Sequence, residues 1–393
     1  MSRPGLAALP EGGRADFAAI RADRRRRLLD VMAAADLDVL ILGRPGDIAF
    51  AAGVRPLFTS GSRPYSVGCV VVRDGGRVHV LADHDDGVPA EIAHDQIIGR
   101  SWNPRIASAR TARIPGLAGA RRIGSAGTST SAATLLATLA PAAEVVDARP
   151  LVQAARATKS VAEVAVIETA CSLAEAGLAA MAQELRPGVT TRRLTARYSE
   201  RLGQLGVTVV PDGPVACRAA GGLCGGLDGR PLAEGELVSL SPSVTYGGYD
   251  ATLARTLVVG GSPTAATGKL RDRAVHSLSE VVTACVPGAT GAELMRRWAD
   301  AGEPAFGAPL AHGVGLGIEE PIIGIGLGAD EVLTEGMVLA VQGIVRGVHD
   351  NAVGGWHHRE MIQVTAAGPR LLTRPHPRAA DAAATTTSSP GAT

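Results

Sequence analysis

The chain has 393 residues, 46% of them hydrophobic, a net charge of +1 and a mean hydropathy of +0.16. That length accommodates two domains, each with its own core. The near-zero charge excludes an electrostatic drive toward nucleic acid or an anionic membrane surface, and no run supplies the roughly 20 apolar residues of a membrane-spanning helix.

In chain order, the opening 17 residues lack the apolar core of a secretory signal. Residues 16–35 predict an amphipathic helix, in which the basic run Arg24, Arg25, Arg26, Arg27 reads as a solvated face. A buried strand follows at 37–42 and a turn at Arg44-Pro45-Gly46. Strands are expected at 67–73, 78–81, 97–99 and 122–124, with a helix at 131–139. This alternation predicts an α/β domain over 1–157. A second domain, 158–374, opens on a helix whose Ser160 and Glu163 have capping-box spacing. Within it Arg186-Pro187-Gly188-Val189-Thr190 is echoed 100 residues later by Val286-Pro287-Gly288-Ala289-Thr290, each predicting a helix–turn–helix junction. The composition of 375–393 is that of a disordered tail. Five scattered cysteines (Cys69, Cys171, Cys217, Cys224, Cys285) do not form a disulfide framework and suit a reducing cytoplasm.

Four segments carry the chemistry: 236–260 (ELVSLSPSVTYGGYDATLARTLVVG), 312–321 (HGVGLGIEEP), 335–344 (EGMVLAVQGI) and 358–365 (HREMIQVT). Their order and wording resemble the pita-bread superfamily of methionine aminopeptidase, prolidase, Xaa-Pro aminopeptidase and creatinase. The resemblance implies a creatinase-type N-terminal α/β domain followed by a pita-bread domain of two pseudo-symmetric halves. It also implies a homodimer, in which Arg55 or Arg63 of the loop-like segment VRPLFTSGSRPYSVG reaches a partner's site. The family's five metal ligands fall on Ser241, Thr252, His312, Gln342 and Arg359. Two divalent cations need several carboxylates to offset and bridge them. Three neutral side chains and a guanidinium supply none, so no metal and no other cofactor is expected. A one-residue slip would put Glu360 at the last position and still leave only two of the five.

The resemblance also places Cys224, within Gly221-Gly222-Leu223-Cys224-Gly225-Gly226, where the family has a histidine facing the site. A thiol among glycines is sterically open, and His312 beside it would make a thiolate–imidazolium pair. Cys217 is a weaker thiol candidate. His312 suits acid–base work near neutrality, and Glu320 matches the family's glutamate. Glu319 replaces a substrate-orienting histidine and suggests a cationic substrate group. Arg359 suggests an anionic one, with Asp250 and His349 as further substrate-binding candidates, while Arg255 reads as scaffold.

The resulting expectation is a metal-independent, peptidase-like enzyme. It would cleave or transfer at a C–N amide bond of a small amino-acid-derived metabolite through Cys224 and His312. Three alternatives stay open: a non-catalytic pita-bread binding module, a creatinase-like hydrolase using His312 and Glu320, and a metallopeptidase with other ligands among His349, His357, His358 and Glu360.

Overall fold

The structure, a computed structural model, describes every residue except 1–6, 10, 12, 14, 56–67, 83, 100, 102, 208–214, 220–228, 262, 350–351 and 375–393. Its helices are α1 (Phe17–Ala34), α2 (Pro45–Ala52), α3 (Pro104–Thr111), α4 (Thr130–Leu139), α5 (Arg149–Ala157), α6 (Val161–Glu184), α7 (Thr191–Gln204), α8 (Ala265–Thr283) and α9 (Gly291–Asp300). The first strands are β1 (Val39–Leu42), β2 (Cys69–Val72), β3 (Arg77–Leu81), β4 (Ile97–Ile98), β5 (Arg122–Ala126) and β6 (Glu144–Asp147). The later ones are β7 (Ala216–Arg218), β8 (Leu237–Leu240), β9 (Ser243–Tyr246), β10 (Tyr249–Thr252), β11 (Arg255–Val258), β12 (Ala311–Gly315), β13 (Gly317–Ile323), β14 (Val338–His349), β15 (Ala352–Thr365) and β16 (Gly368–Leu371). Two compact units result: Met1–Val166 with Tyr246–Tyr249 and Val314–Glu320, and Ile167–Thr245 with Asp250–Gly313 and Pro321–Thr393.

The first unit is built on a six-stranded sheet in the order β4-β3-β2-β1-β5-β6. All four residues of β1 are buried, as an apolar strand covered on both faces must be. Arg44-Pro45-Gly46, expected to be a turn, instead launches α2 with Pro45 at its first position, where the missing N–H costs nothing.

The basic run of α1 also departs from expectation. Only Arg26 of Arg24, Arg25, Arg26 and Arg27 is exposed. Arg24 Nε donates to Tyr249 Oη at 2.9 Å, and Glu163 accepts from both Arg27 and Tyr249. Glu163 does this while closing the expected capping box: its own N–H donates to Ser160 Oγ, and its Oε2 accepts from Ser160 N at 2.8 Å. A guanidinium buries when a carboxylate and a phenol replace its water.

Helix α6 is more apolar than the sequence reading allowed. Its 24 residues are long and apolar enough to cross a membrane by length and composition, and 56% of the most apolar window is buried inside the protein. Cys171 and Met181 are wholly enclosed, so the same pattern serves as a core helix.

In the second unit the echoed pentapeptides make the same turn. Gly188 and Gly288 both have φ +88, and their N–H groups donate at 2.8 Å to Leu232 O and Leu333 O. Leu232 N and Leu333 N return the bond, to Val189 O and Ala289 O. Thr190 and Thr290 then cap α7 and α9 through Oγ1. The echo extends to Gly235 and Gly336, whose N–H groups donate at 2.9 Å to Val259 O and Val364 O. These matched bonds give the two halves of the unit one construction. Neither turn glycine has an atom within 4 Å of a built Cβ, so backbone conformation alone resists a side chain there. Gly188→Ala and Gly288→Ala should each cost about 1 kcal/mol, read as a lower denaturant midpoint. An unchanged midpoint would show that the turn accepts a Cβ.

The remaining strands form sheets in the orders β11-β8-β7 and β13-β12-β14-β15-β16, and β9 pairs with β10.

Candidate functional site

Register places the candidate residues. In the long β14–β15 pair Gln342 lies opposite Arg359, and in β12–β14 His312 lies opposite Ala340. Side chains alternate between faces, so His312, Gln342, His357 and Arg359 share one face while His358 and Glu360 take the other. This settles the one-residue slip: Arg359, and not Glu360, stands with Gln342. Glu360 binds Arg255 at 2.8 Å and His358 Nε2 at 2.7 Å, and accepts from Thr373. Burial pushes its carboxyl up, but His358 and Arg255 outweigh that and hold it down at about 2. Arg255 also donates to Ala254 O and Arg359 O, a scaffold role as expected.

Four of the five family ligand positions are joined by hydrogen bonds or share one partner. Arg359 Nε donates to Gln342 Oε1 at 3.0 Å, and Arg359 Nη1 to Thr252 Oγ1 at 2.7 Å. Thr252 Oγ1 also accepts from Ser243 Oγ at 3.0 Å. Gln342 Nε2 donates to Pro309 O at 2.7 Å, which fixes the amide with Oε1 toward the guanidinium. His357 Nε2 lies 3.0 Å from that same Oε1, and its Nδ1 lies 3.2 Å from Ser239 Oγ and 3.5 Å from Ser241 Oγ.

His312 is half-buried, and its Nδ1 lies 3.0 Å from Gly313 O. A carbonyl only accepts, so Nδ1 carries the proton and Nε2 holds the lone pair. Burial and then the charge of Arg359 lower its pKa, against that hydrogen bond. His357 is pushed well below its ordinary value by burial, then by Arg359, His358 and Arg255.

Among the other expected site residues, Glu319 is corrected. It belongs to the first unit, is buried, and accepts from Arg156 Nη2 at 2.8 Å, Lys159 Nζ at 2.6 Å and Leu316 N at 3.0 Å. Arg156 in turn pairs with Asp47. A carboxylate so enclosed has no face left for a substrate cation. Glu320 accepts from Gln153 at 3.4 Å, and Asp250 accepts from Thr245 at 2.6 Å. The Arg55 backbone N–H donates to Ala7 O, and His349 closes β14. Cys224 and Arg63 lie outside the described residues. Cys69, Cys171, Cys217 and Cys285 are buried without disulfides, and burial pushes the Cys69, Cys171 and Cys285 thiols up to about 12. Ser239, Arg156 and Lys159 carried no signal in the sequence, and His357 stood there only as an alternative metal ligand. For His357 the signal was present, since it stands two residues from Arg359 and a strand must put both on one face.

A two-halved α/β unit with this sheet pairing, preceded by a smaller α/β unit, defines the pita-bread class. Residues 165–366 match metallopeptidase family M24, and residues 24–158 match the creatinase/prolidase N-terminal domain. The chain belongs to the M24 family. It is 29% identical over 229 residues to a Xaa-Pro dipeptidase of Pyrococcus horikoshii, a region covering 56% of this chain and 63% of that protein. The match thus spans less than two thirds of that relative's length. The prolidase structure from Pyrococcus horikoshii superposes with a TM-score of 0.73 at 20% identity, covering 90% of this chain and 99% of that one. The Xaa-Pro dipeptidase from Bacillus anthracis also gives 0.73 at 20% identity, covering 90% and 98%.

The family name implies a metal, and the donor set does not fit one. Among the described residues no group of three or more His, Cys, Asp or Glu side chains is placed to hold an ion. Where carboxylates would bridge cations, a guanidinium is tied to Thr252 and Gln342. A divalent ion there would meet neutral oxygens and a fixed positive charge.

Proposed function

We propose that this chain is a peptidase-like hydrolase of a C–N amide bond in a small amino-acid-derived substrate, working without a metal. The single observation that carries this reading is Arg359, hydrogen-bonded to Thr252 and Gln342 on the face that also presents His312. A guanidinium held by two fixed acceptors is preorganised to stabilise negative charge developing on a carbonyl oxygen. His312, with its lone pair on Nε2, moves the proton. The Xaa-Pro dipeptidase name of the relatives makes Xaa-Pro dipeptides the first substrates to try, and association as a cytoplasmic homodimer belongs to the same proposal.

The test uses the purified full-length chain. Elemental analysis should find substoichiometric transition metal, and turnover of a panel of Xaa-Pro dipeptides and amino-acid amides should survive a chelator. Two tightly held metals per chain would reject the proposal. For the attacking group, the sequence points to the thiol of Cys224, and Cys224→Ala tests it: retained turnover removes the thiol from the reaction. A second reading, a non-catalytic binding module, is favoured by the loss of carboxylates at positions 241, 252, 342 and 359. It stands if no member of the panel is turned over.

A further inference from the structure

The amide of Gln342 determines which nitrogen of His357 carries a proton. Gln342 Nε2 donates to Pro309 O, and Arg359 can only donate, so Oε1 is the atom facing both Arg359 and His357. An amide oxygen only accepts, so His357 Nε2 bears the hydrogen. Nδ1 of the neutral ring is then the acceptor, and the two groups within reach of it are hydroxyls, Ser239 Oγ at 3.2 Å and Ser241 Oγ at 3.5 Å. Ser239 is 3% exposed and out of reach of any substrate. Ser241 is half-buried, at a position where the family places a metal ligand. A hydroxyl, an imidazole with a fixed tautomer and a side-chain oxygen fixing it are the parts of a hydroxyl nucleophile, in roles independent of chain order.

We infer that Ser241 is a nucleophile activated by His357 and takes an acyl group from a small amide or ester. The inference deepens the reading above and moves the attack from the thiol of Cys224 to a hydroxyl. Ser241 Oγ bonds to the substrate carbonyl carbon as its proton passes to His357 Nδ1, and the carbonyl π pair becomes an oxyanion. When the oxyanion collapses the C–N bond breaks, and the proton on Nδ1 leaves with the amine. Water then attacks the ester and gives its proton to Nδ1. The carboxylic acid departs as Ser241 Oγ regains a proton. Gln342 is a positioning residue, accepting from Nε2 throughout.

A fluorophosphonate probe on the full-length chain tests this without a known substrate. Intact mass should rise by one phosphonyl group, and peptide mapping should place it on Ser241. His357→Gln should slow labelling by about 100-fold or more. No label on wild-type Ser241, or a label on Ser239 or Cys224 instead, overturns the assignment. Because wild-type labelling needs no variant, misfolding of a His357 variant leaves the test intact. Turnover of an amide that survives Ser241→Ala overturns this inference and leaves the proposed function standing. Labelled Ser241 in a chain that hydrolyses no amide does the reverse.

Discussion

Arg359→Leu is expected to cut the proposed hydrolysis by about 100- to 1000-fold, the usual loss on removing one preorganised group that stabilises an oxyanion. The variant keeps the aliphatic stem and removes the charge, together with donors to Gln342 and Thr252. Lysine should restore only part of the loss, because an ammonium cannot span the two acceptors as the guanidinium does. The same variant has a readout that needs no substrate. Arg359 is among the causes that depress both His312 and His357, after burial in each case. Removing the cation weakens the penalty on the imidazolium form, so both histidines should titrate at higher pH in the variant. An NMR titration follows this directly. Unchanged histidine pKa values would show that the guanidinium does not act on that face. Raised values with unaltered turnover would keep the geometry and reject the catalytic role.

Much of the fold was readable because its signals are local. Ser160 and Glu163, Thr190 and Thr290 are caps whose partners lie three residues away, and each closes as its spacing requires. The loss of the carboxylate set was equally plain, since it needed only residue types at aligned positions. What surrounds those positions was not plain. Glu319 was expected to meet substrate and meets Arg156 and Lys159, far away in sequence, because a buried carboxylate is satisfied by whatever cations the fold brings to it. The run at Arg24, Arg25, Arg26 and Arg27 misled for the converse reason. A basic run reads as solvated until Glu163 and Tyr249 are known to face it. His357 lay within reach of sequence reasoning, because period-2 alternation through Arg359 assigns its face. Its importance depends on Ser239 and Ser241, more than a hundred residues earlier, and no local pattern records that pairing.

Glu319→Ala is expected to cost the first unit about 3–5 kcal/mol, the penalty for stripping one partner from a buried charge cluster. The residue is 8% exposed and accepts from Arg156, Lys159 and the Leu316 N–H. After the change Arg156 keeps Asp47 and Leu316 O, but Lys159 keeps only the neutral Ala157 O against a buried ammonium. Neighbouring Glu320 makes a single 3.4 Å contact with Gln153, so Glu320→Ala should change stability by no more than about 0.5 kcal/mol. The contrast is best read as hydrogen-exchange protection of β1 and β5, which reports the first unit by itself. The pH dependence has a definite sign. Burial raises the Glu319 pKa, but Lys159 and Arg156 outweigh it and leave it below its ordinary value. A depressed carboxylate contributes stability that is fully present above its unfolded pKa and is lost as pH falls through the folded one. Wild type should therefore lose protection on acidification below about pH 4.3, where an unfolded glutamate begins to protonate. The variant should show a shallower loss over the same range. Equal protection in Glu319→Ala and Glu320→Ala would mean that water or a rearranged Asp47 satisfies the two cations, and the cluster would then not hold this unit together.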